Sequence, residues 1–219
     1  MKSLKKIFTS SHNFSENENL QKFRFTLLHS LLIISILFTF INYIASILKI
    51  FKFNSQYEYF LVLYVLISIF SLFLLKKNKN YYFLVANISI ISAFILFSTA
   101  LLLIIADEFR LIWFFLLVFG SFILLGKKYG LFVTIFVLII IFIINEMYEL
   151  HISTFALFTF LNALLIFTAF AYFFLDKIEK DALTLSILNQ KLKEKVSYEI
   201  HQREEQEQIL LQQSRLASM

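Results

Sequence analysis

Four histidines, His12, His29, His151 and His201, are the chain's only imidazoles, and no cysteine accompanies them. Without cysteine there is no disulfide, no thiolate zinc site and no thiol nucleophile. The histidines lie too far apart for the HExxH spacing that grips zinc, and three glycines form no glycine-rich turn to cradle a phosphate. Haem iron held within a helical bundle commonly takes histidine. His29 is the one imidazole inside an apolar run, and no second histidine stands at its level, so it reads as an interfacial residue. Among the other polar groups in apolar surroundings, Asn42, Asn87 and Asn162 stand out, together with Ser98 and Thr99. An asparagine in hydrocarbon needs a partner, and a bond between helices is worth about 0.6–2 kcal/mol. The ordinary reading makes the three asparagines glue between helices; the sharper one makes them, with His29, a sensing pocket where they converge. Ser98 and Thr99 are expected to bond back to carbonyls of their own helix. No catalytic constellation appears, so the chain as given is expected to have no enzymatic activity and to hold no cofactor or metal.

The elements that position these groups are apolar runs. The 219 residues are 59% hydrophobic, against roughly 45–50% for a soluble globular domain. Six runs stand out, at 27–48, 59–75, 81–106, 111–126, 131–145 and 152–175. A membrane-spanning helix needs about 20 mainly apolar residues, and roughly 17–25 are tolerated. The fourth and fifth runs are short, and a re-entrant hairpin is the alternative to two crossings. Snorkelling of Arg110, Lys127 and Lys128 with local thinning would close the gap. No Asp, Glu, Lys or Arg stands within any run, which argues against a proton pump, an ion-coupled transporter or a voltage sensor. The first run is too long for a signal peptide and lacks a small-residue cleavage site. Trp113 falls at the outer end of the fourth run, where an aromatic belt is expected.

Basic residues alternate between the run ends. One set holds Lys22, Arg24, Lys76, Lys77, Lys79, Lys127, Lys128, Lys177 and Lys180; the other holds Lys49, Lys52 and Arg110. Nine against three orients both termini to the cytoplasm by the positive-inside rule. The net charge of +5 is thereby explained without nucleic acid. The outer connections are too short to fold into a domain, so any stimulus must be met within the bilayer or at its surface.

Residues 176–219 form a charged segment compatible with helix. Leu185, Leu188, Leu192, Val196 and Ile200 recur at spacings of three or four, the seam of a parallel coiled-coil dimer. The stretch 201–208 is wholly polar, and apolar residues resume at Ile209. No glycine or proline interrupts 152–219, so the sixth run is expected to enter this segment as one helix. The organisation is therefore a cytoplasmic tail at 1–26, a six-span membrane domain at 27–175 and a cytoplasmic signalling helix at 176–219. The fold class is all-α, a polytopic membrane protein with a long coiled-coil-like helix.

The end of the chain, YEIHQREEQEQILLQQSRLASM at 198–219, resembles the linker that enters the dimerisation and phosphotransfer domain of bacterial sensor histidine kinases. Gln213, Ser214, Arg215, Leu216, Ala217, Ser218 and Met219 are similar to the lead-in to the phosphoacceptor helix. The resemblance covers a tenth of the chain. In that family a Gly-Glu-Met continuation, the phosphorylated histidine and an ATP-binding domain follow, and this sequence stops before them. His201 stands too early to be the phosphoacceptor. A second stretch, FRLIWFFLLVFGSFILLGKKYG at 109–130, resembles a span and basic turn of multi-span sensory regions that precede kinase and diguanylate cyclase domains alike. The resemblance implies the sensing and signal-transmitting part of a two-component kinase. It further implies a homodimer, ATP and magnesium only in a kinase core beyond Met219, and a response regulator as downstream partner. A diguanylate cyclase sensor region and a transporter or channel component are the alternatives.

Overall fold

The computed structural model describes residues 14, 19–50, 53–104, 109–148, 150 and 152–217, without the side chains of 19, 211, 212 and 215–217. Those residues are helical almost throughout, with no strand among them. Among the described residues six α-helices follow in order, α1 Asn19–Ile47, α2 Ser55–Lys77, α3 Tyr82–Leu103, α4 Ile112–Leu125, α5 Lys127–Met147 and α6 Thr154–Ala217, with a 3-10 turn at Lys79–Tyr81 before α3. The chain separates into two compact units, Met1–Asp176 and Lys177–Met219, with the boundary inside α6. The expected N-terminal tail lies largely outside the described residues.

Local chemistry sets the helix ends. Asn54 caps α2 by accepting from the Gln56 amide at 3.0 Å, and Ser153 opens α6 by accepting from Ala156 N at 3.1 Å; both satisfy amides that a first turn leaves orphaned. At the end of α1, Ile50 N donates to Ala45 O and Lys49 N to Ser46 O, with Lys49 at φ 57°. This is the Schellman pattern, with lysine where glycine is usual. Only Gly126 separates α4 from α5, at φ 92° and ψ 172°, a conformation open to glycine and strained for any L side chain.

Among the described residues, five helical segments are long and apolar enough to cross a membrane: Leu20–Ile47, Ser55–Lys77, Lys79–Leu103, Lys127–Met147 and Thr154–Leu210. The remaining helix, α4, has 14 residues, about 21 Å of rise, less than a hydrocarbon core of about 30 Å. The fifth helix is not short: it has 21 residues, because Lys127–Gly130 form its first turn although hydropathy excludes the lysines. For the same reason α1 starts at Asn19, eight residues before its apolar run.

Within the first unit the helices share two ends. At one, the Tyr82 hydroxyl donates to Leu124 O at 2.7 Å, Phe25 lies 6.4 Å from Tyr82, and Phe83 meets Tyr129 edge-on at 5.4 Å. Lys22, Arg24, Lys76, Lys77, Lys79, Lys127 and Lys128 belong to the helix ends gathered here. At the other end, Ser46 donates to Glu58 at 2.6 Å, while Trp113 lies 5.8 Å from Phe38 and 5.7 Å from Phe97. The core between them is aromatic and aliphatic, with Phe25, Phe114, Phe122, Leu75 and Leu101 fully buried. The outward faces stay apolar: Ile41, Leu66, Phe132, Phe142 and Ile166 are among many exposed hydrophobic side chains. A helix apolar all round is at home in lipid or a large core.

Candidate functional site

Helices α1 to α4 line a half-open cavity of about 650 Å³, within the range of about 300–1,000 Å³ typical of small-molecule sites. Small side chains make the room. Ser89, Ala93 and Ala100 lie along one face of α3, and Gly120 on α4 faces Ile90. A Cβ on Gly120 would stand 3.7 Å from Ile90 Cδ1, so the space beside it is open to a modest side chain. Phe38, Phe97 and Trp113 wall one end, and Leu28 and Leu124 lie at the other.

No Asp, Glu, Lys, Arg or His lines the cavity. Its polar groups are hydroxyls and one amide. Ser35 and Ser89 donate to Leu32 O and Val85 O of their own helices. Thr39 differs: it is 5% exposed, and it makes no hydrogen bond among the described residues. Asn42 donates its amide to Phe38 O at 2.9 Å, which leaves its carboxamide oxygen as an open acceptor. The Tyr64 hydroxyl, across from them on α2, makes no bond among the described residues either. By helix rise, Thr39 and Asn42 stand about 12 Å and 8 Å before the end of α1, and Tyr64 about 14 Å after the start of α2. From Thr39 back to Leu28, eleven residues of α1, the lining is apolar but for Ser35 and Ser89, over about 16 Å.

The asparagines do not converge. Asn42 alone of the three lines the cavity. Asn87 and Asn162 donate to Phe83 O and Phe158 O, four residues earlier in their own helices, and Asn162 sits on an exposed face. The amides thus pair along their helices rather than across them, the back-bonding open to short polar side chains in any helix. His29 is buried on α1 and does not line the cavity. Thr99 donates to Leu96 O as expected, while the buried Ser98 hydroxyl finds no partner among the described residues.

Two polar contacts were not legible in the sequence. Arg110 does not snorkel: it is 2% exposed, and its guanidinium donates to Ile104 O at 3.0 Å and also to Leu150 O. It thereby ties the last turn of α3 to the approach to α6. At the basic end, Lys127 pairs with Asp176 and lies 5.8 Å from the Tyr172 ring. Thr134 and Thr168 meet at 3.4 Å between the same two helices, and Phe115 packs edge-on against Phe160 and Phe167 of α6. The end of the membrane part of α6 is therefore held by a charge on the first residue of α5.

In the second unit, Leu185, Leu188, Leu192, Val196 and Ile200 are all exposed. Gln190 with Glu194, Lys195 with Glu199, Tyr198 with Gln202 and His201 with Glu205 make local pairs one turn apart, the spacing that supports a solvated helix. The polar stretch 201–208 is helical. Ser214 and the backbone of Arg215, Leu216 and Ala217 belong to α6; Ser218 and Met219 lie outside the described residues. No protein-family model, no curated protein and no solved structure matches the chain.

Proposed function

We propose that this chain is the membrane sensor and signal-transmitting segment of a two-component sensor histidine kinase. The observation that carries the reading is α6, helical without a break from Thr154 to Ala217, where the Ser214–Met219 lead-in resembles the approach to a phosphoacceptor helix. Six crossings follow if the bilayer thins around α4, and the basic helix ends then put both termini in the cytoplasm. The exposed apolar stripe Leu185–Ile200 supports a parallel homodimer, because a stripe of that width on a lone helix stays wet unless a second copy covers it. A stimulus biases the output only through its differential affinity for two packings of the helices, typically about 1–3 kcal/mol.

The test uses the full-length protein in membrane vesicles. Inserts of one to four residues within 201–208 should change autophosphorylation periodically, since each added residue turns the helix by about 100°. Equal output from every insert would overturn transmission through a helix, and the absence of any phosphohistidine in the wild type would overturn the kinase output. A diguanylate cyclase output would instead appear as cyclic dinucleotide synthesis from GTP.

A further inference from the structure

We propose that the cavity between α1, α2, α3 and α4 binds one neutral, single-tailed amphiphile, with its hydrogen-bonding head at Thr39, Asn42 and Tyr64 and its tail toward Leu28. The site does not depend on the kinase reading; within that reading it is where the stimulus is met.

Three observations select this class of ligand. The cavity has no ionisable wall group other than tyrosine, so a charged head would lose its hydration with nothing to replace it. Its open polar groups fall within about one helical turn of each other along the helices, and the hydroxyl of the buried Thr39 does not bond back to its helix as those of Ser35 and Ser89 beside the same cavity do. A ligand hydroxyl or carbonyl reaching Thr39 gives that hydroxyl the hydrogen bond that no described residue around it supplies. An open acceptor on Asn42 and a tyrosine hydroxyl supply the complementary donor and acceptor. The tail region runs about 16 Å along α1 and is lined by apolar side chains but for Ser35 and Ser89, and Gly120 keeps it clear. A flat polycyclic ligand or a polar solute would leave it empty.

The chain provides its own reporter, because Trp113 is the only tryptophan and lines the head end. The protein is placed in nanodiscs of unbrominated phosphatidylcholine, and long-chain alcohols brominated either beside the hydroxyl or at the tail tip are titrated in. Saturable quenching of Trp113 is expected, stronger for the bromine beside the hydroxyl. Thr39→Val keeps the volume and removes the hydroxyl, and should weaken binding roughly three- to tenfold. Gly120→Leu should abolish saturable quenching by occupying the tail space. Linear, unsaturable quenching, or quenching unchanged in both variants, overturns the proposal. So does equal quenching by nanodiscs of brominated phospholipid that unbrominated long-chain alcohol fails to relieve, since the occupant is then a bilayer acyl chain. None of these outcomes bears on autophosphorylation, so failure here leaves the kinase reading to its own test.

Discussion

Replacing Arg110 with methionine separates a buried tie from a snorkelling charge. The methionine stem fills much of the same volume, but Ile104 O and Leu150 O lose their donor. An orphaned buried acceptor costs about 1–3 kcal/mol, so two cost about 2–6 kcal/mol. Removing the guanidinium also removes its own burial penalty, which returns part of that sum. A net loss of about 2 kcal/mol is expected. Arg110→Lys should lose about half as much, because an ammonium keeps the charge but lacks the fork that reaches two carbonyls at once. The measurement is unfolding of the chain in dodecyl maltoside micelles by added sodium dodecyl sulfate, followed by Trp113 fluorescence. Trp113 lies three residues from Arg110, so the probe reads the affected end. A loss below about 0.5 kcal/mol for Arg110→Met is what a solvated arginine would give, and would refute the reasoning.

Other substitutions read the remaining contacts. Lys49→Gly should stabilise the chain by about 0.5–1 kcal/mol in the same unfolding assay, because it relieves a left-handed side chain at the end of α1. At Gly130 a Cβ would stand 2.4 Å from Phe122 Cγ, so Gly130→Ala sets an overpacking cost of about 1–3 kcal/mol against a helix gain of about 1 kcal/mol; a net loss is expected, and Phe122→Leu in the same chain should recover most of it. A double-mutant cycle of Lys127→Met and Asp176→Asn should give a coupling of about 1 kcal/mol, reduced by salt, and no coupling would remove the ion pair from the account. Single-cysteine variants Leu188→Cys and Leu192→Cys, made in a chain with no native cysteine, should cross-link between copies under oxidation far faster than Gln190→Cys on the opposite face; equal rates would argue against the paired seam.

Hydropathy made the apolar helices legible because lipid-length runs have no other common explanation. It misplaced their ends wherever a polar first turn continued the helix, as with Lys127 and Lys128 before the apolar part of α5 and Gln21–Arg24 in α1. The uninterrupted α6 was legible from the absence of glycine and proline after Gly130. The cavity was not, because it arises from which small residues face each other: Ser89, Ala93 and Ala100 share a face of α3, and only packing sets Gly120 against Ile90. Spacings of four and seven among small residues were the available signal. Arg110 was misjudged because a sequence does not separate an arginine at a boundary from one folded inward onto carbonyls. The asparagines were expected to reach across to neighbouring helices, yet the carbonyl one turn back is always within reach, whatever the neighbours present.

The junction at Gly126 gives the bundle a short linkage with no slack. A connection of several residues would soak up a shift of one helix before the next one felt it. One glycine joins the two helices, so a displacement of the wall at Gly120, six residues earlier on the same helix, reaches Lys127 unless Gly126 itself turns. Lys127 holds Asp176 at the point where the last helix leaves its apolar stretch. The chamber wall at Gly120 and the tie at Asp176 are thus joined through a single backbone pivot.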